Sequence, residues 1–246
     1  MSAELPVSAP ARLRSLLAGT ADNALKIVHR GPHAVYVALP SADNRCVGVL
    51  GSAATAVPCG LRLATPTVGP LTGERAEVRA GVLHVDGVAL PVRRVVDATV
   101  PAMPRVLDGG DPLRGIDATV AGELTALRLD PQHLDRVLGH GGGLTPLGDD
   151  VICGWLAQHR SLGVATPWAD DVVRIARTRT TTLSATLLEC AFHGEVIPEF
   201  AAWVAAHETD EPARAAELAS VGHSSGAGLL YGARAALLHL SRKAAA

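Results

Sequence analysis

Val82-Leu-His-Val-Asp-Gly-Val-Ala-Leu90 consists of two short runs of mostly apolar residues joined by Asp86-Gly87. A type I′ turn needs positive φ at both central residues, and Asp and Gly tolerate it, so the stretch predicts a two-residue β-hairpin. Pro91 follows at once and lacks an N–H, which places the returning strand at a sheet edge.

Working outward, the upstream residues repeat the same pattern. His33–Leu39, Arg45–Leu50 and Leu61–Ala64 are Val- and Leu-rich runs broken by Gly and Pro, and they read as strands. Before them, Ala11–Lys26 carries Leu13, Leu16, Leu17 and Leu25 near one face, which predicts an opening helix. Downstream, Pro and Gly crowd the stretch from Asp97 to Gly115 and the strand pattern fades. A boundary there gives a β-rich N-terminal domain, 1–115, followed by a helical domain, 116–246. The expected class is α+β, with a small antiparallel sheet or barrel first.

In the second half, Val120, Leu124 and Leu127 form one helical stripe. Pro131 opens another helix, with Asp130 as N-cap, Leu134, Val137 and Leu138 on its face and Gly139 closing it. Further helices are expected to start near Asp149, Trp168, Pro198, Pro212 and Ser224. Leu183, Leu187 and Ala191 share a helical face, as do Leu229, Leu230, Ala233, Leu237 and Leu238.

Composition narrows the function. Hydrophobic residues make up 48% of the 246, so a sizeable core is available, but aromatics supply only 3% and Val, Leu and Ala must fill it. The net charge is −2, which argues against nucleic acid or an anionic membrane as partner. No apolar run approaches the roughly 18–20 residues of a bilayer span, and the first residues lack a secretory pattern. Cys46, Cys59, Cys153 and Cys190 are scattered with no Cys-x-x-Cys pair, as expected of small buried thiols in a cytoplasmic protein.

The segment with the most chemistry is Gly139-His-Gly-Gly-Gly-Leu-Thr-Pro-Leu-Gly-Asp-Asp150. Gly141, Gly142, Gly143 and Gly148 let backbone amides approach a ligand, Thr145 adds a hydroxyl, and the helix expected next adds free N–H groups that favour phosphate or carboxylate. Asp149 and Asp150 bring two carboxylates, a pair suited to holding Mg²⁺ or to orienting the loop. No Gly-Lys-Ser/Thr follows, so this is not a Walker loop, and no strand precedes it, so it is not a dinucleotide fingerprint. Two further polar clusters are Arg174, Arg177 and Arg179 with Thr180, Thr181, Thr182 and Ser184, and Gly222-His223-Ser224-Ser225-Gly226. The first suits a carboxylate or phosphate clamp or a solvated helix face. The second suits a helix cap or a substrate contact. Gly-x-Ser-x-Gly in its strand–turn–helix setting is missing, which leaves a hydrolase as a minor alternative.

Gly143-Leu-Thr-Pro-Leu-Gly-Asp-Asp150 resembles the signature of the AllH-like family. Thr180-Thr-Thr-Leu-Ser184 with Leu187, Leu188, Ala191 and Gly194 is similar to its second motif, and Gly222-His-Ser-Ser-Gly226 to its third. The resemblance covers most of the chain beyond about residue 115. Where the family pattern carries Ser, this chain has Leu147. The better-understood members are a subunit of oxamate carbamoyltransferase, in the anaerobic branch of allantoin breakdown. The resemblance therefore implies carbamoyl transfer between oxamate and phosphate, performed with other protein subunits. On this reading Gly141, Gly142, Gly143, Thr145, Gly148, Thr180, Thr181, Ser184, His223, Ser224, Ser225 and Gly226 bind a small anionic metabolite, and Asp149 and Asp150 hold the metal. A non-catalytic metabolite-binding or scaffold subunit is the alternative from another class.

Overall fold

The computed structural model describes residues 3–40, 44–103 and 110–245, so positions 104–109 of the expected boundary stretch lie outside the described residues. The chain forms two compact units, Met1–Ala98 and Thr99–Ala246.

The first unit is one nine-stranded sheet: β1 (Val7–Pro10), β2 (Asn23–Arg30), β3 (Ala34–Ala38), β4 (Cys46–Leu50), β5 (Gly60–Arg62), β6 (Ala76–Arg79), β7 (Val82–Val85), β8 (Val88–Leu90) and β9 (Val92–Val96). Its spatial order is β8-β7-β6-β2-β3-β4-β5-β1-β9. Two pairs, β4 with β5 and β1 with β9, are parallel, so the sheet is mixed and not purely antiparallel as expected. Asp86 and Gly87 sit at φ 54° and 79°, the conformation that the hairpin predicts. The Asp86 carboxylate also ties down the preceding loop, accepting from the N–H of Gly73 at 2.6 Å and of Arg75 at 3.2 Å.

The expected edge is nearly closed. Leu5 N–H donates to Ala89 O and Val7 N–H to Pro91 O, so the segment leading into β1 runs alongside β8 and then β9. This makes a nearly closed barrel, which removes most of the unpaired edge that an open sheet would present. Its interior is the alternating inward set Val35, Val37, Val47, Val49, Leu61, Leu83 and Val85, each fully buried.

The opening helix is shorter than its leucine pattern suggests. α1 covers Ala11–Ala18 and stops at Gly19, while Asn23–Arg30 is strand β2. Gly19, Thr20, Asp22 and Asn23 break the helix, and beyond them Leu25 and Ile27 face the barrel core at a period of two. Leu25 alone, falling on the face of the earlier leucines, was enough to carry the expected helix about two turns too far.

The second unit is helical: α2 (Ala118–Ala126), a 3₁₀ turn (Leu134–Val137), α3 (Leu147–Ser161), α4 (Ala169–Arg179), α5 (Thr182–Phe192), α6 (Pro198–Val204), α7 (Glu211–Ala219) and α8 (Ser225–Ala245). The helix expected from Pro131 is only the 3₁₀ turn. Asp130 Oδ1 accepts from Gln132 N–H at 2.9 Å and its Oδ2 meets His133 Nδ1 at 2.8 Å, so it stabilises the turn and not an α-helix. Leu134, Val137 and Leu138 are nevertheless buried.

Helix α3 is the centre of this unit. All of its residues except Arg160 are buried, as befits a helix covered on every side. Its neighbours include α5 and α8, and α8 approaches closely because Gly154, Gly228 and Gly232 lie at the crossing. Beside it a buried ion network joins α6, α7 and α8. Glu211 accepts from Trp203 Nε1 and from Arg234 at 2.9 Å each, and from Arg114 at 2.9 Å, while Arg234 also donates to Arg114 O. No helix among the described residues is long and apolar enough to cross a membrane.

Candidate functional site

The three motifs that lie about 30 and 40 residues apart in sequence meet at the N-terminus of α3. Each is bound there through one of two consecutive aspartates.

Asp149 is fully buried and fully engaged. Its Oδ1 accepts from Gly139 N–H at 2.6 Å, and its Oδ2 accepts from Ser184 Oγ at 2.6 Å and from Thr180 Oγ1. One carboxylate thus joins the glycine loop, the first turn of α3 and the start of α5. Thr181 completes the junction: its hydroxyl donates to Leu144 O at 2.5 Å and accepts from Ser184 N–H at 3.0 Å, capping α5.

Asp150 is in a different state. It is 4% exposed, the hydroxyls of Ser225 and Thr145 face its carboxyl, and among the described residues Oδ2 has no hydrogen-bond partner. Thr145 Oγ1 and Ser225 Oγ lie 2.9 Å apart. Burial, with a smaller contribution from the neighbouring Asp149 charge, pushes the Asp150 carboxyl from 3.8 up to about 8. The folded state therefore keeps a proton that the unfolded chain releases near pH 4. Asp150 contributes stability that is complete below that pH and lost as pH rises towards 8. The melting temperature of the wild type is expected to fall between pH 5 and 8 more steeply than that of Asp150→Asn. Parallel melting curves across that range would contradict it.

The loop above these groups is open. Gly141, Gly142, Gly143 and Leu144 are exposed, with Gly141 at φ 111° and Gly143 at φ 86°. None of their N–H groups donates a hydrogen bond among the described residues. Of the first four N–H groups of α3, Gly148 donates to His140 O and Asp149 and Asp150 to Pro146 O, leaving that of Leu147. A Cβ on Gly141 would lie 2.8 Å from Leu147 N, so glycine there keeps this amide uncovered. The result is a set of free donors at the positive end of a buried helix, which suits an anion.

Other expected residues have packing roles. Gly148 and Gly226 sit where a Cβ would collide with the carbonyls of Val137 and Leu218. Leu147 is buried with Val120, Leu124, Val151 and Ala227, so its side chain belongs to the core. His223 is exposed and Ser224 half-buried on the turn before α8, and among the described residues neither Ser224 nor Ser225 bonds to a histidine. Arg174 pairs with Asp171 at 2.7 Å on an exposed face and is not part of the junction.

Among the described residues no group of three or more His, Cys, Asp or Glu side chains is arranged so that it could hold a metal ion. Three protein donors occupy Asp149, and uncharged hydroxyls surround Asp150. Mg²⁺ is held by one or two carboxylates together with substrate oxygens and water, so the described residues form no preformed cation cage, and both oxygens of Asp149 are already engaged by protein donors. Residues missed by sequence reading are Gly154, Gly228 and Gly232, whose only signal is the four-residue spacing of the last two.

Residues 137–237 match the family model of AllH, described as oxamate carbamoyltransferase subunit AllH. The AllH match begins at the end of the 3₁₀ turn and runs into α8, so it spans the glycine loop, the Thr180–Ser184 corner and the Ser225 turn. Its description names a subunit, which implies that AllH works within a complex. No curated protein and no solved structure matches the chain.

Proposed function

We propose that this chain is a subunit of an oxamate carbamoyltransferase-type enzyme, and that it binds an anionic substrate at Gly141–Thr145 and the N-terminus of α3. The observation that carries the reading is the convergence of the three motif segments on Asp149 and Asp150 beneath a loop of free amides. A structural junction alone needs no exposed glycines with unused N–H groups. Carbamoyl phosphate and oxamate are both anions, and donors held in place by a rigid corner would stabilise charge on the transferring group. Transfer activity is proposed to require partner subunits. The four cysteines are buried thiols, which suits a reducing, cytoplasmic setting.

The test is calorimetric titration of the chain with carbamoyl phosphate and with oxamate, each with and without Mg²⁺. Saturable binding is expected without the cation. Gly141→Ala should weaken it at least about tenfold, because the methyl group would cover Leu147 N and a positive φ disfavours Ala. Unchanged affinity in that variant would remove the loop from the site. A chain that binds neither ligand, yet copurifies with the transferase subunits, would favour a scaffold.

A further inference from the structure

Two arginines of α4 differ in what they do with their charge. Arg174 pairs with Asp171 at 2.7 Å on an exposed face. Arg179, the last residue of the helix, is exposed and among the described residues makes no hydrogen bond or ion pair. Its place beside the glycine loop is fixed by the residues around it. A Cβ on Gly139 would lie 2.6 Å from Arg179 O, so the Arg179 backbone rests against the residue that opens the loop. Thr180 then donates to Asp149, and Thr181 donates to Leu144 O at 2.5 Å. The corner Arg179–Thr181 therefore runs alongside Gly139–Leu144 from one end to the other. The root of the longest cationic side chain lies next to the free amides, and a Cβ on Gly142 or Gly143 would meet nothing within 4 Å, so no side chain fills the space above them. Segments 139–150, 179–184 and 222–226 contain no other Lys or Arg, and no acid except the buried Asp149 and Asp150.

We propose that Arg179 is a ligand-binding residue: its guanidinium clamps the charged end of the anion, a carboxylate or phosphoryl edge with two oxygens, against the free amides of Gly141–Leu144. The inference rests on the anion-binding reading of the loop. The two kinds of donor do different work. Backbone amides supply direction and partial charge but no net charge. A guanidinium adds a full positive charge and two parallel N–H donors that match such an edge. Oxamate and carbamoyl phosphate share this chemistry, with a charged group at one end and an uncharged amide at the other. Held by the charged end, either ligand keeps its amide on the side away from the clamp, open to a partner subunit. A cation in the last turn of α4 also favours the helix dipole. That role would act on stability and leave affinity alone, so the two are separable.

The experiment is calorimetric titration of the full chain with oxamate and with carbamoyl phosphate, comparing the wild type with Arg179→Gln and Arg174→Gln. Arg179→Gln is expected to weaken binding of both ligands at least about tenfold, the usual worth of a charge-assisted pair. Its melting temperature should stay at the wild-type value, because the side chain is exposed and unpaired among the described residues. Arg174→Gln removes the same charge from the same helix and should leave affinity unchanged. Undiminished affinity in Arg179→Gln, or an equal loss in Arg174→Gln, overturns the assignment and leaves the loop site standing. A clear drop in the melting temperature of Arg179→Gln also overturns it, since the residue would then be supporting the helix end. A wild type that binds neither ligand overturns this proposal and the loop site together.

Discussion

Replacing Asp149 by alanine is expected to destabilise the helical unit by about 3–5 kcal/mol, more than any other substitution in the loop. The carboxylate is the common acceptor of Gly139 N–H, Thr180 Oγ1 and Ser184 Oγ. Removing it leaves three donors without an acceptor in a place that water does not reach, at about 1–3 kcal/mol for each fully buried one. Thr180 is half-buried and recovers part of its loss by turning to solvent, and relief from burying a charge offsets some of the rest. The melting transition followed by the helical circular dichroism signal should drop by about 10 °C. Asp149→Asn should lose less, since its amide keeps one acceptor oxygen but sets an NH₂ against a donor. A variant that melts with the wild type would show that Asp149 does not hold the junction together.

This prediction separates two aspartates that look alike in sequence. Consecutive residues on a helix project about 100° apart, so Asp149 faces Gly139 and α5 while Asp150 faces Thr145 and α8. One is surrounded by donors and holds the loop. The other has a buried oxygen with no hydrogen-bond partner among the described residues. The sequence shows two carboxylates at a helix start, and a metal pair is the natural reading of that. Only the positions of Thr180 and Ser184, more than 30 residues on, reveal that the first carboxylate is already engaged.

Elements dictated by local chemistry were legible. Asp86-Gly87 specified its own turn, Pro198 and Glu211-Pro212 began their helices, and the glycine loop declared its exposed amides. Elements decided at a distance were not. The parallel pairing of β1 with β9 joins residues more than 80 positions apart, and nothing in either strand states it. Leu25 fits a helical stripe and an alternating strand equally, and the barrel core decided between them. The site shows the same division: its donors could be read from glycine and hydroxyl content, whereas the relation of Thr145 to Ser225 depends on how α8 meets α3.

That meeting leads to the second large effect, which is expected of Gly232→Ala. Gly228 and Gly232 are four residues apart and share one face of α8. A Cβ on Gly232 would overlap the Val151 carbonyl, with Val151 C at 2.8 Å and Cα at 3.0 Å, all backbone atoms of the buried helix α3. A flexible side chain could move aside, but here a whole helix must shift. On the facing helix, Gly154 meets the Leu229 backbone in the same way, so both sides of the crossing depend on the close approach. Overpacking in a core costs about 1–3 kcal/mol when side chains can yield, and more is expected where only backbone is available. The gain in helix propensity from Gly to Ala, about 1 kcal/mol, acts in the opposite direction and is too small to compensate. Displacing α8 also carries Ser225 away from Thr145, so oxamate binding should fall together with stability. A Gly232→Ala protein with wild-type melting temperature and affinity would mean that the helices do not touch as closely as the structure has them.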